Sequence, residues 1–437
     1  MAHPHGAARG VARGASPRRA SPRRASPRGA TSRDETSHRA SSRGAPGRAL
    51  GAALGALLAG SIAGACAGTP APSPATLPAG TTDTIWYISA RGRDGRRERT
   101  RPAQVLAYGF VVFDRGGRGV PPGGSPPSTV IDSVQLTEET FGQAIAERLR
   151  ATPAPDDYAV LYVHGFGTSL REAWTHTATA RHRAGARAPW IVFCWPSRGS
   201  GIGPPRRGAL LTSAYHDDSA AAAASIPSFV TATRRLLAGL PPAQTVLLAH
   251  SLGGQLLGEG LTSDDSLQRT LRAAPLRAIA FIAPDVEASR FADSLVPALR
   301  PLTQRLVLYA SERDRVLRVS RQIHGSDRAG RRNAQPLLRP GLETIDASNA
   351  RTSEGWFTRK FGTHHSVKRA CGILFDLGFV VGRQRSPMCR LTLGTGSTTP
   401  DGEWRLAREA LPMADDASAS CDAFRPALTP GRSFSRK

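Results

Sequence analysis

From residue 158 onward the chain repeats one pattern: a short run apolar at nearly every position, then a longer segment whose apolar residues recur every three or four positions. The runs "YAVLYV" (158–163), "PWIVFCW" (189–195), "TVLLAH" (245–250), "LRAIAFIA" (276–283) and "RLVLYA" (305–310) predict strands buried on both faces. The segments between them predict helices: "SLREAWTHTATARHRAG" (169–185), "SIPSFVTATRRLLAGL" (225–240), and a third opening at Leu252. In the second of these, Ser225 is the expected N-cap and Pro227 sits in the first turn. Ile226, Phe229, Val230, Leu236, Leu237 and Leu240 form its apolar stripe. Upstream, "TIWYIS" (84–89) and "AQVLAYGFVVF" (103–113) read as strands and "ETFGQAIAERLRA" (139–151) as a helix that "PAPDD" (153–157) breaks. Downstream, "ETIDA" (343–347) is a shorter strand and "KRACGILFDLGFVVG" (368–382) a closing helix. Strands alternating with helices predict an α/β fold with a mostly parallel central sheet and helices on both faces. In such sheets the site lies at the carboxyl ends of the strands.

The pattern spans 84–382, and the flanks differ in kind. "ASPRRASPRRASPRG" (15–29) repeats a five-residue unit of Ser, Pro and Arg with nothing to bury, so residues 1–48 are expected to be a disordered leader. Arg48 then precedes an uncharged apolar stretch, 49–65, that ends in Ala63, Gly64 and Ala65 just before Cys66. That stretch is short for a spanning helix and suits the apolar region of a signal peptide. Small residues before a cysteine, with a Pro/Ala/Ser/Thr-rich spacer (67–83) behind it, resemble a bacterial lipoprotein signal. The resemblance implies cleavage before Cys66 and acylation of that cysteine. An ordinary signal peptide or an uncleaved N-terminal anchor is the alternative. Each of these readings gives an exported protein, and both the lipoprotein signal and the uncleaved anchor hold it at the membrane on the envelope side. Beyond residue 382, Gly, Pro, Ser and charges predominate, and 383–437 is expected to be a loose tail.

The formal net charge of +24 raises a nucleic-acid partner as a question. Residues 1–66 hold eleven arginines against Asp34 and Glu35, a surplus of nine, so fifteen of the positive charges fall after Cys66. The excess is nearly all arginine and is scattered. No helix-turn-helix, zinc finger or aromatic RNA-binding motif accompanies it, and no nucleic-acid partner is expected. Cys194, Cys371, Cys389 and Cys421 show no C-x-x-C spacing, so no metal site is expected.

The candidate chemistry gathers at strand ends. In "VLLAHSLGGQLL" (246–257) a buried strand stops on Ser251 and a helix follows at once. A serine on so sharp a turn projects its hydroxyl from the sheet edge and needs small neighbours, here Ala249 and Gly253. The plainer reading is a serine capping an ordinary helix. The N–H of Leu252, at the helix start, would face a developing oxyanion. In "LYVHGFGTS" (161–169), Gly165 lets the backbone approach closely and the N–H of Phe166 is a second candidate donor. His164 precedes the serine in the chain and is expected to be structural. The acid is open between Asp314, in "LYASERDRVL", and Asp285, in "FIAPDVEA", which is also well placed to cap a helix. The base is expected in "FGTHHSVKRA" at His365, with His364 second and His324 third.

These residues resemble an alpha/beta-hydrolase family of esterase/lipase-like bacterial enzymes. The resemblance rests on "AYGFVVF", "VLYVHGFGTSLREA", "FCWPSRGS", "LLAHSLGGQLL", "IAPDVEASRF", "LYASERDRVLRVSRQIHG", "IDAS" and "HHSV", which keep their order over 84–382. Gly167 and Gly254 stand where that family often has asparagine. The resemblance implies an alpha/beta-hydrolase fold, Ser251 as nucleophile, Asp314 as acid and His365 as base, with no cofactor. The expected activity is that of a serine hydrolase on carboxylic esters, either small molecules or lipids. Two rivals stay open: an amidase or peptidase on the same fold, and a non-catalytic hydrolase-like protein that binds envelope polymers.

Overall fold

The computed structural model describes residues 82–91, 102–103, 105–114, 129–198, 208–350, 365, 367 and 370–407. All of them lie within the unit Pro70–Lys437, and the unit Met1–Thr69 falls outside the described residues. The expected leader, the 49–66 segment with Cys66, and the spacer up to residue 81 are therefore not described. The same holds for His364 and for 408–437.

The runs of continuous apolar sequence form the middle of one sheet. They are β4 (Ala159–Val163), β5 (Trp190–Cys194), β6 (Thr245–His250), β7 (Ala278–Ile282) and β8 (Leu306–Ala310), and nearly every residue in them is buried. A strand covered on both faces has no polar side to alternate with, which is why each reads as an unbroken apolar run. The faces are nonetheless distinct. Leu161 and Val163 join one core layer with Phe141, Phe229, Leu252 and Leu256. Val160 and Tyr162 join the other with Ala173, Ala180, Leu374 and Val381. The helices α1 (Glu138–Arg150), α4 (Ile226–Gly239) and α5 (Leu252–Thr262) cover the first face, together with α6 (Asp265–Ala273). The second face is covered by α2 (Leu170–Arg183) and the helical segment Cys371–Gly382. Helix α2 starts on a capping box: Ser169 accepts from the N–H of Glu172, whose carboxylate accepts from the N–H of Ser169.

The other strands are β1 (Thr82–Ser89), β2 (Ala107–Asp114), β3 (Thr129–Leu136), β9 (Leu342–Asp346), β10 (Gly396–Thr398) and β11 (Trp404–Leu406). The sheet order is β10-β11-β9-β8-β7-β6-β4-β5-β1-β2-β3. From β11 to β1 every neighbouring pair is parallel; β2, β3 and β10 add antiparallel edges. This is the α/β sheet that the hydrophobic pattern predicts.

Four expectations change. Strand β3 replaces the unassigned stretch before α1. A helix α3 (Gly208–Ala224) stands where the pattern gave no element. Ser225 does not cap α4: its backbone is already helical and its hydroxyl donates to Ala221 O, so α3 runs almost directly into α4. Finally, residues 383–407 are not a loose tail. They carry the short helix Cys389–Thr392 and strands β10 and β11, which extend the sheet beside β9.

Candidate active site

The chain reverses sharply between β6 and α5, and Ser251 is the residue at the turn. Its φ of 54° and ψ of −125° lie in a region that non-glycine residues rarely enter. Such strain, typically about 1–3 kcal/mol, persists only where surrounding structure enforces it. Here the Ser251 N–H donates to Ile282 O at 3.1 Å, and Ser251 O accepts the N–H groups of Gly254 and Asp285 at 2.9 and 3.1 Å. The turn is crowded. A Cβ on Gly253 would stand 2.5 Å from Val163 O and 2.6 Å from His164 O. A Cβ on Gly165 would stand 2.9 Å from the Ser251 Cβ. The loop after β4, which carries Phe166, is therefore packed directly against Ser251, while Leu252 opens α5.

The Ser251 Oγ lies 3.0 Å from Nε2 of His365, whose Nδ1 lies 2.8 Å from Oδ2 of Asp314. Asp314 follows β8 and is fully buried. Its other oxygen accepts the N–H of Leu317, so it also caps the helix Arg315–His324. Burial pushes the His365 imidazole toward the neutral form, but the adjacent Asp314 carboxylate outweighs it and the pKa is raised above its ordinary value. Burial would raise Asp314, yet the charge and hydrogen bond of His365 hold it below the usual carboxylate range. An imidazole that spans a hydroxyl and a buried carboxylate in this way can take the hydroxyl proton and be stabilised as imidazolium.

The other candidates fall elsewhere. Asp285 accepts from Tyr215 OH, Ser320 Oγ and Arg328 Nε, each at 2.7 Å, and caps no helix. The capping role expected of it belongs to Asp314, because the chain after Asp285 passes through an extended stretch before turning helical at Ala288. His324 packs on the same cluster, with Nε2 3.1 Å from Tyr215 OH. His164 is buried and stacked on Trp195, with ring centroids 5.1 Å apart. Burial and the Arg91 charge hold its pKa well below the ordinary value.

The sequence reading missed His250, the residue before the serine. Its Nε2 donates to His365 O at 2.5 Å, and the two rings lie 4.8 Å apart. Burial, aided by His365, pushes its imidazole down to about 3, so it stays neutral and carries its proton on Nε2, which faces a carbonyl. Adjacency to the serine is the signal that could have found it. Tyr215 and Asp218 were missed because α3 was.

A parallel sheet clad on both faces, with a strained serine between the central strand and the helix behind it, defines an alpha/beta hydrolase. More particularly, residues 138–372 match the family described as alpha/beta hydrolase of unknown function (DUF900), and the chain belongs to that family. No curated protein matches it. Among solved structures it is similar to a predicted CIB-like hydrolase from Thermoplasma acidophilum, at 13% identity over 45% of this chain and 78% of that one, with a TM-score of 0.22. It is also similar to an esterase from Pyrobaculum calidifontis, at 14% identity over 57% and 72% of the two chains, with a TM-score of 0.24.

Proposed function

We propose that this hydrolase is a serine hydrolase of carboxylic esters that works through an acyl-enzyme on Ser251. What carries the reading is the continuous hydrogen-bond line from Ser251 through His365 to Asp314, at 3.0 and 2.8 Å. His365 takes the Ser251 proton as the hydroxyl attacks the ester carbonyl, and Asp314 orients the ring and stabilises the imidazolium. The N–H groups of Phe166 and Leu252 hold the oxyanion; loss of one such donor typically costs about 3 kcal/mol. The imidazolium then protonates the departing alcohol. Water, activated by the neutral ring, attacks the acyl-serine and returns the hydroxyl.

The test is covalent labelling with a fluorophosphonate and turnover of p-nitrophenyl esters. Wild-type protein should react at Ser251 and hydrolyse the esters; Ser251→Ala should do neither while melting at the same temperature. An unlabelled wild type would leave the fold as a binding scaffold. Amide turnover exceeding ester turnover would make it an amidase. The proposal also keeps the exported protein anchored through an acylated Cys66, on the strength of the 49–66 sequence. Cys66→Ser should then move it from the membrane to the soluble fraction, and a mature chain that retains residues before Cys66 would overturn this.

A further inference from the structure

We infer that Asp218 is a positioning residue for the oxyanion loop, setting the direction of the Phe166 N–H from a distance. This rests on the serine-hydrolase reading above.

Asp218 lies on α3 and is fully buried. Three donors converge on its carboxylate. The N–H of Gly167 and the hydroxyl of Ser197 donate to Oδ2 at 2.9 and 2.5 Å, and the N–H of Arg198 donates to Oδ1 at 2.9 Å. Ser197 Oγ in turn accepts the N–H of Thr168 at 3.0 Å. Two consecutive amides of the loop after β4 are thus turned toward α3, one directly and one through Ser197. Arg91 ties this loop to the one after β5: its guanidinium donates to Thr168 O at 2.5 Å and to Ser197 O at 2.9 Å.

The remaining peptide is the one that matters. Gly165 O faces Nδ1 of His164 at 3.0 Å, so the neutral ring carries its proton there and donates. In a planar trans peptide the N–H points opposite to the C=O. The N–H of Phe166 is therefore aimed away from His164 and has one rotational state for as long as the next peptide is held. Asp218 holds that next peptide through Gly167. Gly167 has a φ of 64°, the left-handed region where glycine and asparagine are at home. The loop cannot rely on local preference alone to stay there, because glycine has many other choices. An acceptor-only carboxylate suits three converging donors. Asparagine would turn one NH₂ toward them and leave at least one donor unmatched.

Asp218 has no place in the proton path, since the line from Ser251 to Asp314 does not include it. Its loss should thus weaken the tetrahedral state and spare both the nucleophile and substrate binding. The experiment compares wild type, Asp218→Asn and Ser197→Ala by kcat and KM on p-nitrophenyl butyrate. Affinity for an aryl trifluoromethyl ketone, the pH profile and the melting temperature are read alongside. Expected for Asp218→Asn are a fall in kcat of about 10²–10³-fold, as for loss of an oxyanion donor, an unchanged KM, a parallel loss of ketone affinity, and an unmoved acid limb. Ser197→Ala, which keeps the Asp218–Gly167 bond, should show the same signature at smaller size.

Wild-type kcat and ketone affinity in a folded Asp218→Asn would overturn the inference. If that variant does not fold, wild-type behaviour of Ser197→Ala overturns it, and so does loss of folding in both, which would mark the cluster as purely structural. A wild type inert to both ester and ketone would instead sink the serine-hydrolase reading on which the inference rests.

Discussion

Burial and the Asp314 carboxylate act on His365 in opposite directions, and the carboxylate prevails, raising the pKa above 6.5. The proposed base must be neutral to accept the serine proton, so activity is lost as pH falls through that raised value. The acid limb of kcat/KM should accordingly be centred above pH 6.5. Asp314→Asn removes the negative charge that raises His365, so the limb should move to lower pH while kcat falls by about 10⁴-fold. Asparagine is as good an N-cap as aspartate, so the helix Arg315–His324 keeps its cap and the melting temperature should hardly change. Asp285→Asn should behave the other way. It leaves Arg328 buried without its carboxylate, a change that costs about 3 kcal/mol, and kcat should stay within tenfold. Melting curves and kcat for the two variants decide between the acids, and the reverse pattern would give the catalytic role to Asp285.

At the scale of elements, what the sequence made legible follows from how completely each element is buried. Strands β4 to β8 are covered on both faces, and their boundaries fall within a residue or two of the apolar runs. Strand β3 was not legible because it is an edge: most of Thr129–Leu136 is exposed, and Asp132 and Ser133 interrupt its apolar positions. Helix α3 was missed for a different reason. In "GALLTSAYHDDSAAAAA" alanine fills every side, so no stripe stands out, and its polar residues look like a surface. Yet Asp218 is buried through tertiary partners that no local pattern can announce. The serine turn was legible because strand, small residues and helix occur in one contiguous stretch. The spacing of Gly253 can be tested directly. Its missing side chain leaves room for the carbonyls of Val163 and His164, and Gly253→Ala forces backbone apart at a cost of about 1–3 kcal/mol while displacing Ser251. Both melting temperature and kcat should fall. Gly142, inside α1, has nothing within 4 Å of a Cβ. Gly142→Ala should therefore stabilise the protein by about 0.5–1 kcal/mol with kcat unchanged, and thermal melts of the pair separate crowding from helix propensity.

For the molecule as a whole, the arginine excess that first suggested a polyanionic partner has internal uses. Arg390 is fully buried and grips both oxygens of Asp376 at 2.6 and 2.7 Å, and it also pairs with Glu343. Tyr309 OH donates to Asp376 at 2.7 Å, and Arg305 pairs with Glu343 at 2.6 Å. Arg390 also lies over the ring of Trp404, 5.1 Å from its centroid. One guanidinium thus ties the segment after residue 382 to the closing helix and to β9, which is why a stretch with few apolar residues still adds β10 and β11 to the sheet. The charged contacts of this network with the sheet, Arg305 and Glu343, stand at the amino ends of β8 and β9, whereas Ser251 and Asp314 follow the carboxyl ends of β6 and β8. Damage there should therefore affect stability and not chemistry. Arg390→Met keeps the bulk and leaves the buried Asp376 carboxylate without its cation, while Glu343 keeps Arg305, a change that costs about 3–5 kcal/mol. The melting temperature should fall, and kcat measured well below it should match wild type. If the loss comes from the stranded charge, Arg390→Met combined with Asp376→Asn should recover much of it, because the second substitution removes the uncompensated carboxylate. A double variant no more stable than Arg390→Met would assign the loss to packing on Trp404 instead, and a drop in kcat at constant fold would show that the amino end of the sheet communicates with the serine.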